Sequence, residues 1–584
     1  MSWLERGHFK KIIAGFVLLV SGVMAVVYRH HFSKGPEPPK FSEVLSLNNE
    51  VWTESERQRY YHLSQGSQIM PYDWFVALEQ GDKAEPFIAD DNMTKFRFIP
   101  DPNPISNPDR LPIGFAKDDA DPVSGAVNVG LTCAGCHTAQ ITYKGTGIRI
   151  DGAPGTINLD PFLESVLASL GITALSDSTP KFERFAKKVL KNNYNRDTAK
   201  KLIDDVRKYL TEKLKEKLEE KRSNDSRGQA ATAAGFGRLD GLGSGGNRLY
   251  RLLGVQNLRT LNAPVRAFPL WNTQEYNWLQ TNGSMRQPMA RNIIQALTLN
   301  ASLVFPGDAA RNDRYSSSVR LKNIFEIQSM LRMLKAPVWP EQVLGKLDVE
   351  AAKRGEAIYK RQCAFCHEPV KENQPEPDDA VAVKNNKTYF VLRSIPVDKI
   401  KTDPTDAANF AERTVDASSI KMGNKVAGAE IISMVLSGIL KRQYEEMKLP
   451  LNQQEEWNGY RDNLLRICKG YMARPLAGAW ANGTYLHNGS VPSLYQLLLP
   501  PAERDKVFFT GNVEFDPVNV GYVSKEFQGG FRFDTSITGN SNAGHQYGSS
   551  LKHEERMDLI EYLKGLRFPD KDYGLVAPQA QCPS

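Results

Sequence analysis

Cysteine is scarce in this chain, with six in 584 residues. That count excludes a disulfide scaffold, which needs far denser cysteine in a far shorter chain. Four of the six form two close pairs, Cys133 with Cys136 and Cys363 with Cys366, leaving Cys468 and Cys582 as singles. The singles read either as one disulfide in an oxidising compartment or as a buried thiol and a loose tail, because spacing does not reveal connectivity. An excess of charge is also lacking: 74 Lys and Arg against 67 Asp and Glu leave a net +7. So mild a balance argues against nucleic acid as a partner, though an acidic protein surface would still be attracted. Long hydrophobic runs are absent apart from one, Ile12 to Tyr28. The period-two alternation of half-buried strands is rare as well, which points to a mainly α fold.

The apolar run is seventeen residues long, with Arg6, Lys10 and Lys11 before it and Arg29 after it. That is the short end of what crosses a bilayer. It reads as a signal-anchor helix over 12–28 within an anchor segment 1–32; a cleaved secretory signal is the alternative, although no small-x-small cleavage pattern follows. The basic N-terminal flank would stay inside and the body would be exported. Residues 33–42, rich in proline, read as a stiff linker.

Beyond the linker, apolar runs alternate with Pro- and Gly-rich turns to about residue 175, which suits a fold built around something other than its own regular structure. Residues of about 178–230 are dense in charge, with Phe182, Phe185, Leu202, Val206 and Leu210 at helical spacing. They read as long amphipathic helices inserted at the surface. The segment GFGRLDGLGSGGN at 235–247 has neither the Lys-Ser/Thr ending of a phosphate loop nor a strand leading into it, so it reads as a close-packed loop. Amphipathic helices are expected at 349–361 and 553–566.

The chemistry is concentrated in two pentapeptides, CAGCH at 133–137 and CAFCH at 363–367. Each is C-x-x-C-H, the pattern of covalent haem c attachment. Two thiols three residues apart on one turn reach both vinyl groups of a porphyrin, and the next residue offers its imidazole to the iron. Cys133, Cys136, Cys363 and Cys366 are thus the expected attachment points, and His137 and His367 the proximal ligands, of two covalently bound haem c groups. Zinc shared by the two pairs and a dithiol redox pair are the competing readings. Both leave the histidine after each pair unexplained. Gly355 and Tyr359 in one helix and Tyr562 and Leu563 in the last match the helix pair that flanks the haem in small cytochromes. The expected division is a haem domain over 43–344, carrying the charged insertion, and a second over 345–584.

Nine histidines occur in all, and those able to complete an iron's coordination are few. Here the segments MARPLAGAWANGTYLHNGSVPSLYQLLLPP and FDTSITGNSNAGHQYG resemble the C-terminal haem domain of the bacterial di-haem cytochrome c peroxidase superfamily. They are most similar to its rubber-oxygenase-like branch. The resemblance extends over NVGLTCAGCHTAQITYKGTGIRIDG, APVRAFPLWN, NGSMRQPMARN and YYHLSQGSQIMPYDWFVAL. It implies a six-coordinate C-terminal haem that transfers electrons and an N-terminal haem that binds peroxide or dioxygen.

In the peroxidases themselves a Met soon after Tyr-x-His-x-Gly is the distal ligand. This chain has Tyr485, His487 and Gly489 but no Met from there through residue 520. The resemblance to the oxygenase-like branch assigns that role to His545. His487 would then donate to a haem propionate, or be a satisfied core histidine. The peroxidases also place a catalytic Glu in the stretch matching 278–300, where this chain has none; Asn292 and Gln295 are the nearest polar candidates. Trp271 and Trp278 are candidates for an aromatic relay between the haems.

The expected function is therefore a haem oxidoreductase, peroxidase-like or oxygenase-like, tied to the bacterial inner membrane by a single pass with its body in the periplasm. Its partners would be a small oxidant and a redox protein or quinol-linked donor. The alternative is a pure di-haem electron carrier with both irons six-coordinate.

Overall fold

A computed structural model describes residues 35–47, 51–307, 313–368, 370–371 and 389–568. It is 42% helix and 13% strand, the strands forming eight small sheets of two or three members. This corrects the expected mainly helical class. The strands run only two to six residues, too short to leave a period-two signature in the sequence. No helix among the described residues is long and apolar enough to cross a membrane, and the 12–28 run lies outside them. The transmembrane helix, and with it the single-pass inner-membrane location, is therefore withdrawn. It rested on a run at the lower limit of a bilayer span, and no element of the described fold supports it.

The longer helices follow their sequence signals. Thr179 caps Pro180–Leu190, accepting from the Phe182 amide, and Asn195 caps Arg196–Arg227, its side chain accepting the Thr198 amide while its own amide donates to Thr198 Oγ1. The second of these ends on Gly228 in a left-handed conformation. Their apolar faces (Phe182, Phe185, Leu202, Ile203, Val206, Leu210) join a core made with Phe75, Phe115 and Phe162. The charged insertion is thus a packed layer. The glycine-rich segment departs from its reading as a loop: Asp240 accepts the Gly243 amide and starts the helix Gly241–Arg251. A capping carboxylate over the first turn offsets the poor helix propensity of four glycines.

One core runs through both halves, from Trp52, Tyr60, Ile141 and Ile150 to Tyr359, Trp480, Leu559 and Leu563. Helix Val349–Gln362 packs across helix His553–Gly565, with the Tyr359 and Tyr562 rings 5.1 Å apart. Gly355 makes that crossing possible: a Cβ there would sit 2.0 Å from the Asp558 carbonyl oxygen.

Candidate haem sites

Thr132 accepts the Ala134 amide and starts the single turn Cys133–Cys136, and the His137 amide bonds the Cys133 carbonyl. Both thiols and the imidazole thus come from one turn of helix. Gly114, at φ +90°, lies against this turn where a Cβ would be 2.1 Å from Gly135 Cα. The second site is built alike: helix Val349–Gln362 runs into the turn Ala364–His367, whose His367 amide bonds the Cys363 carbonyl. All four thiols are free. Burial raises each thiol's pKa, to about 12 for Cys136 and Cys363. Among the described residues no three His, Cys, Asp or Glu side chains converge as a metal-ion site, so the pairs do not share a zinc. Cys468 is buried and disulfide-bonded; Cys582 lies outside the described residues.

Each imidazole is oriented through Nδ1. His137 donates to the Phe268 carbonyl at 2.9 Å and His367 to the Arg474 carbonyl at 2.6 Å. A backbone carbonyl can only accept, so the proton is on Nδ1 and Nε2 keeps its lone pair for a metal. Burial lowers both pKa values, that of His137 to about 3 with Arg291 adding to the effect. The rings are therefore neutral at physiological pH, as ligation requires.

Two cavities open beside these turns. The N-terminal one is lined by His137, Leu242, Gly246, Met285, Arg291 and Gln295 among others. The C-terminal one is lined by His367, Met472, Tyr485, His487, His545 and Leu563 among others. Segment 266–268 and Thr281 line both. Phe268 is the hinge of this arrangement: its carbonyl holds His137, its ring centre is 5.6 Å from that imidazole, and the Arg474 guanidinium lies 4.1 Å from the same ring.

His545 faces His367 in the C-terminal cavity with ring centres 6.3 Å apart. Two imidazoles on opposite sides of one metal, each bonded at about 2 Å, bring their centres to about 6 Å. The loop carrying His545 is held by Arg504, which donates to the carbonyls of Asn542, Gly544 and His545. His545 itself has φ 45°, a left-handed conformation costing roughly 1–2 kcal/mol in a non-glycine residue. Its Nδ1 has no hydrogen-bond partner, and burial, with His367 and Arg504 nearby, lowers its pKa to about 3. His487 lines the same cavity, stacked on Tyr471 with ring centres 3.8 Å apart.

The other predicted residues scatter. Gln295 lines the N-terminal cavity, but its amide lies 3.8 Å from Cys133 Sγ, at the thiol edge. Asn292 is buried outside the lining and accepts from Arg291. Trp271 donates to the Ala477 carbonyl, and Trp278 packs under Arg466; neither lines a cavity.

Sequence reasoning missed Phe268, Arg266, Arg291 and Arg474. Their one signal was the set of arginines inside the apolar segments APVRAFPLWN, QPMARN and MARPL. Arg238 lines the N-terminal cavity, as do Arg266 and Arg291; Arg266 and Arg474 line the C-terminal one. No ion pair joins any of these four to a carboxylate among the described residues; Arg474 Nη1 has no partner at all. Cations enclosed without counter-charge are costly, and the propionates of a haem would supply that charge. The donor set thus fits haem: thiols on a turn, neutral imidazoles, an apolar slot and guanidiniums that bond carbonyls and amides but no carboxylate among the described residues.

A CxxCH turn with an oriented proximal imidazole, opening on such a slot, defines a c-type cytochrome with covalently bound haem. Residues 470–509, the heart of the C-terminal cavity, match the RoxA-like, cytochrome c-like family model. The chain belongs to the same family as the uncharacterized protein y4iJ of Sinorhizobium fredii. The two are 33% identical over 612 residues, covering 96% of this chain and 100% of the relative. A second protein of that bacterium, uncharacterized protein y4iM, is 29% identical over 322 residues, covering 50% of this chain and 63% of its own length.

Proposed function

We propose that this cytochrome carries two haem c groups and works as a haem oxidoreductase of the di-haem peroxidase superfamily. A small oxidant, peroxide or dioxygen, would bind in the N-terminal cavity, and a redox protein or quinol-linked donor would deliver electrons through the C-terminal one. The observation that carries the proposal is an asymmetry. A second imidazole, His545, faces His367 in the C-terminal cavity, while among the described residues no histidine besides His137 lines the N-terminal cavity. Haem held by the turn of His137 would supply the oxidant-binding chemistry, and haem held between His367 and His545 would supply electron transfer at low potential.

The chain's own residues then have defined tasks. Phe268 and Arg474 orient the two proximal imidazoles through their carbonyls, and their contact joins the sites by a short path. Arg238, Arg266, Arg291 and Arg474 offset propionate charge. The Trp271 and Trp278 relay is dropped in favour of this path, because neither ring lines a cavity.

Met285 favours a second reading. It lines the N-terminal cavity, and a His/Met iron there would make the protein a pure electron carrier. Intact-mass measurement on protein matured in a haem-attaching host, followed by electron paramagnetic resonance of the oxidised form, separates these cases. Two added haems with a high-spin signal support the oxidoreductase. Two haems with low-spin iron alone, turning partly high-spin in Met285→Leu, establish the carrier. One haem or none refutes the di-haem proposal.

A further inference from the structure

A third cavity, polar and of about 460 Å³, is lined by Asp240, Thr260, Asn262, Asn409, Glu412 and Arg413 among others. Such a space holds many waters. It meets the N-terminal cavity at a wall made by Leu242, Gly246, Asp406 and Ile432, which line both. Asp406 is the one ionisable side chain in that wall. It is 4% exposed, and its Oδ2 has no hydrogen-bond partner.

The local chain explains why it sits there. Asp403 accepts the Thr405 and Ser541 amides just ahead of the helix Thr405–Ala411, whose N-cap is Pro404. That helix packs on Gly241–Arg251, whose Gly246 presents no side chain to separate the two cavities. Acidic neighbours surround the position: Asp240 and Asp403 both raise the Asp406 pKa, and burial raises it more, to about 8. Tyr471, donating to the Asp403 carbonyl, faces it from the C-terminal side. Arg413 and Glu412 are across the polar cavity. A buried carboxyl with a free oxygen and no counter-cation is stable when it keeps its proton, and it lies between water and the haem slot.

Resting on the assignment of haem to the N-terminal cavity, we propose that Asp406 is the proton-exchanging residue of that cavity, binding and releasing a proton from the polar cavity as the charge beside His137 changes. Where Asp406 is ionised in the oxidised protein, its carboxylate would take up one proton from water in the polar cavity for each electron a donor delivers beside His137, and reoxidation would return that proton to the water.

The test is a potentiometric titration of the matured holoprotein against pH, following the N- and C-terminal haems by their separate high- and low-spin spectra. Wild type, Asp406→Asn and Asp406→Glu are compared, with infrared difference spectra of the carboxyl region. In wild type the N-terminal midpoint potential falls with rising pH across one ionisation, approaching one proton per electron. Asp406→Asn abolishes that slope and the protonated-carboxyl band; Asp406→Glu keeps both, displaced. The C-terminal potential is unchanged throughout. A slope and band that persist in Asp406→Asn overturn the inference while leaving the haem assignment intact. A haem count of one, attached at Cys363 and Cys366 only, overturns both.

Discussion

The imidazoles of His367 and His545 stand 6.3 Å apart, centre to centre, although 178 residues separate them in the chain. His545 reaches this position on a loop strained at φ 45° and held by Arg504. Strain kept in place by several hydrogen bonds is a mark of positions where geometry serves function.

Substituting His545 by glycine tests the ligand directly. Glycine accepts the left-handed conformation without penalty, so His545→Gly folds and exposes one iron. The oxidised variant is expected to lose a low-spin signal and gain a high-spin one by electron paramagnetic resonance. An unchanged spectrum rejects His545 as ligand.

Arg504→Gln removes most of the bonds that hold this loop. Hydrogen bonds from charged donors contribute about 1.5–3 kcal/mol each, so a loss of at least about 2 kcal/mol is expected in denaturant unfolding. A partial high-spin signal should accompany it, because the imidazole is no longer aimed. Loss of stability with fully low-spin iron would show that Arg504 serves the fold alone.

Phe268→Leu keeps the carbonyl that orients His137 but removes the ring on which Arg474 rests. Electron exchange between the haems, followed after rapid reduction of the C-terminal one, is expected to slow, while the optical spectrum of each haem stays as it was. Trp278→Phe should leave that rate unchanged. The reverse outcome would restore tryptophan as the relay.

Asp406 makes stability depend on pH. Its folded-state pKa, about 8, lies above the ordinary carboxyl value of 3.8. A carboxyl raised in this way contributes fully below the lower value and loses that contribution as pH climbs to the upper one. Wild-type stability should therefore fall between about pH 4 and pH 8, by an amount on the order of a few kcal/mol. Thermal melts of Asp406→Asn across that window should lack this component; parallel curves for both proteins would contradict it.

Gly355→Ala puts a methyl group where the Asp558 carbonyl already lies. Forcing the helices apart should cost about 1–3 kcal/mol, visible as a lower denaturant midpoint of the holoprotein. A gain in stability would mean that the two helices yield to the methyl group without losing their contacts.

The attachment turns were legible because their chemistry is local: two thiols and an imidazole must lie within five residues to hold one porphyrin. Gly355 and Tyr359 were legible for the same kind of reason, helical spacing. The anchored, mainly helical picture went astray where signals were weak, in strands of two to six residues and in an apolar run at the limit of a bilayer span. The glycine-rich segment misled because propensity is a weak prior, reversed here by the Asp240 cap.

The amino-acid order alone determined the two CxxCH turns, since their spacing lies within one turn of helix. Only the tertiary structure decided what surrounds them. Phe268 lies 131 residues from His137 and Arg474 lies 107 from His367, and Asp406 lines a cavity whose CxxCH turn is in the other half of the chain. Contacts over such distances arise from packing of a shared core, which leaves no periodic or local trace in a single sequence.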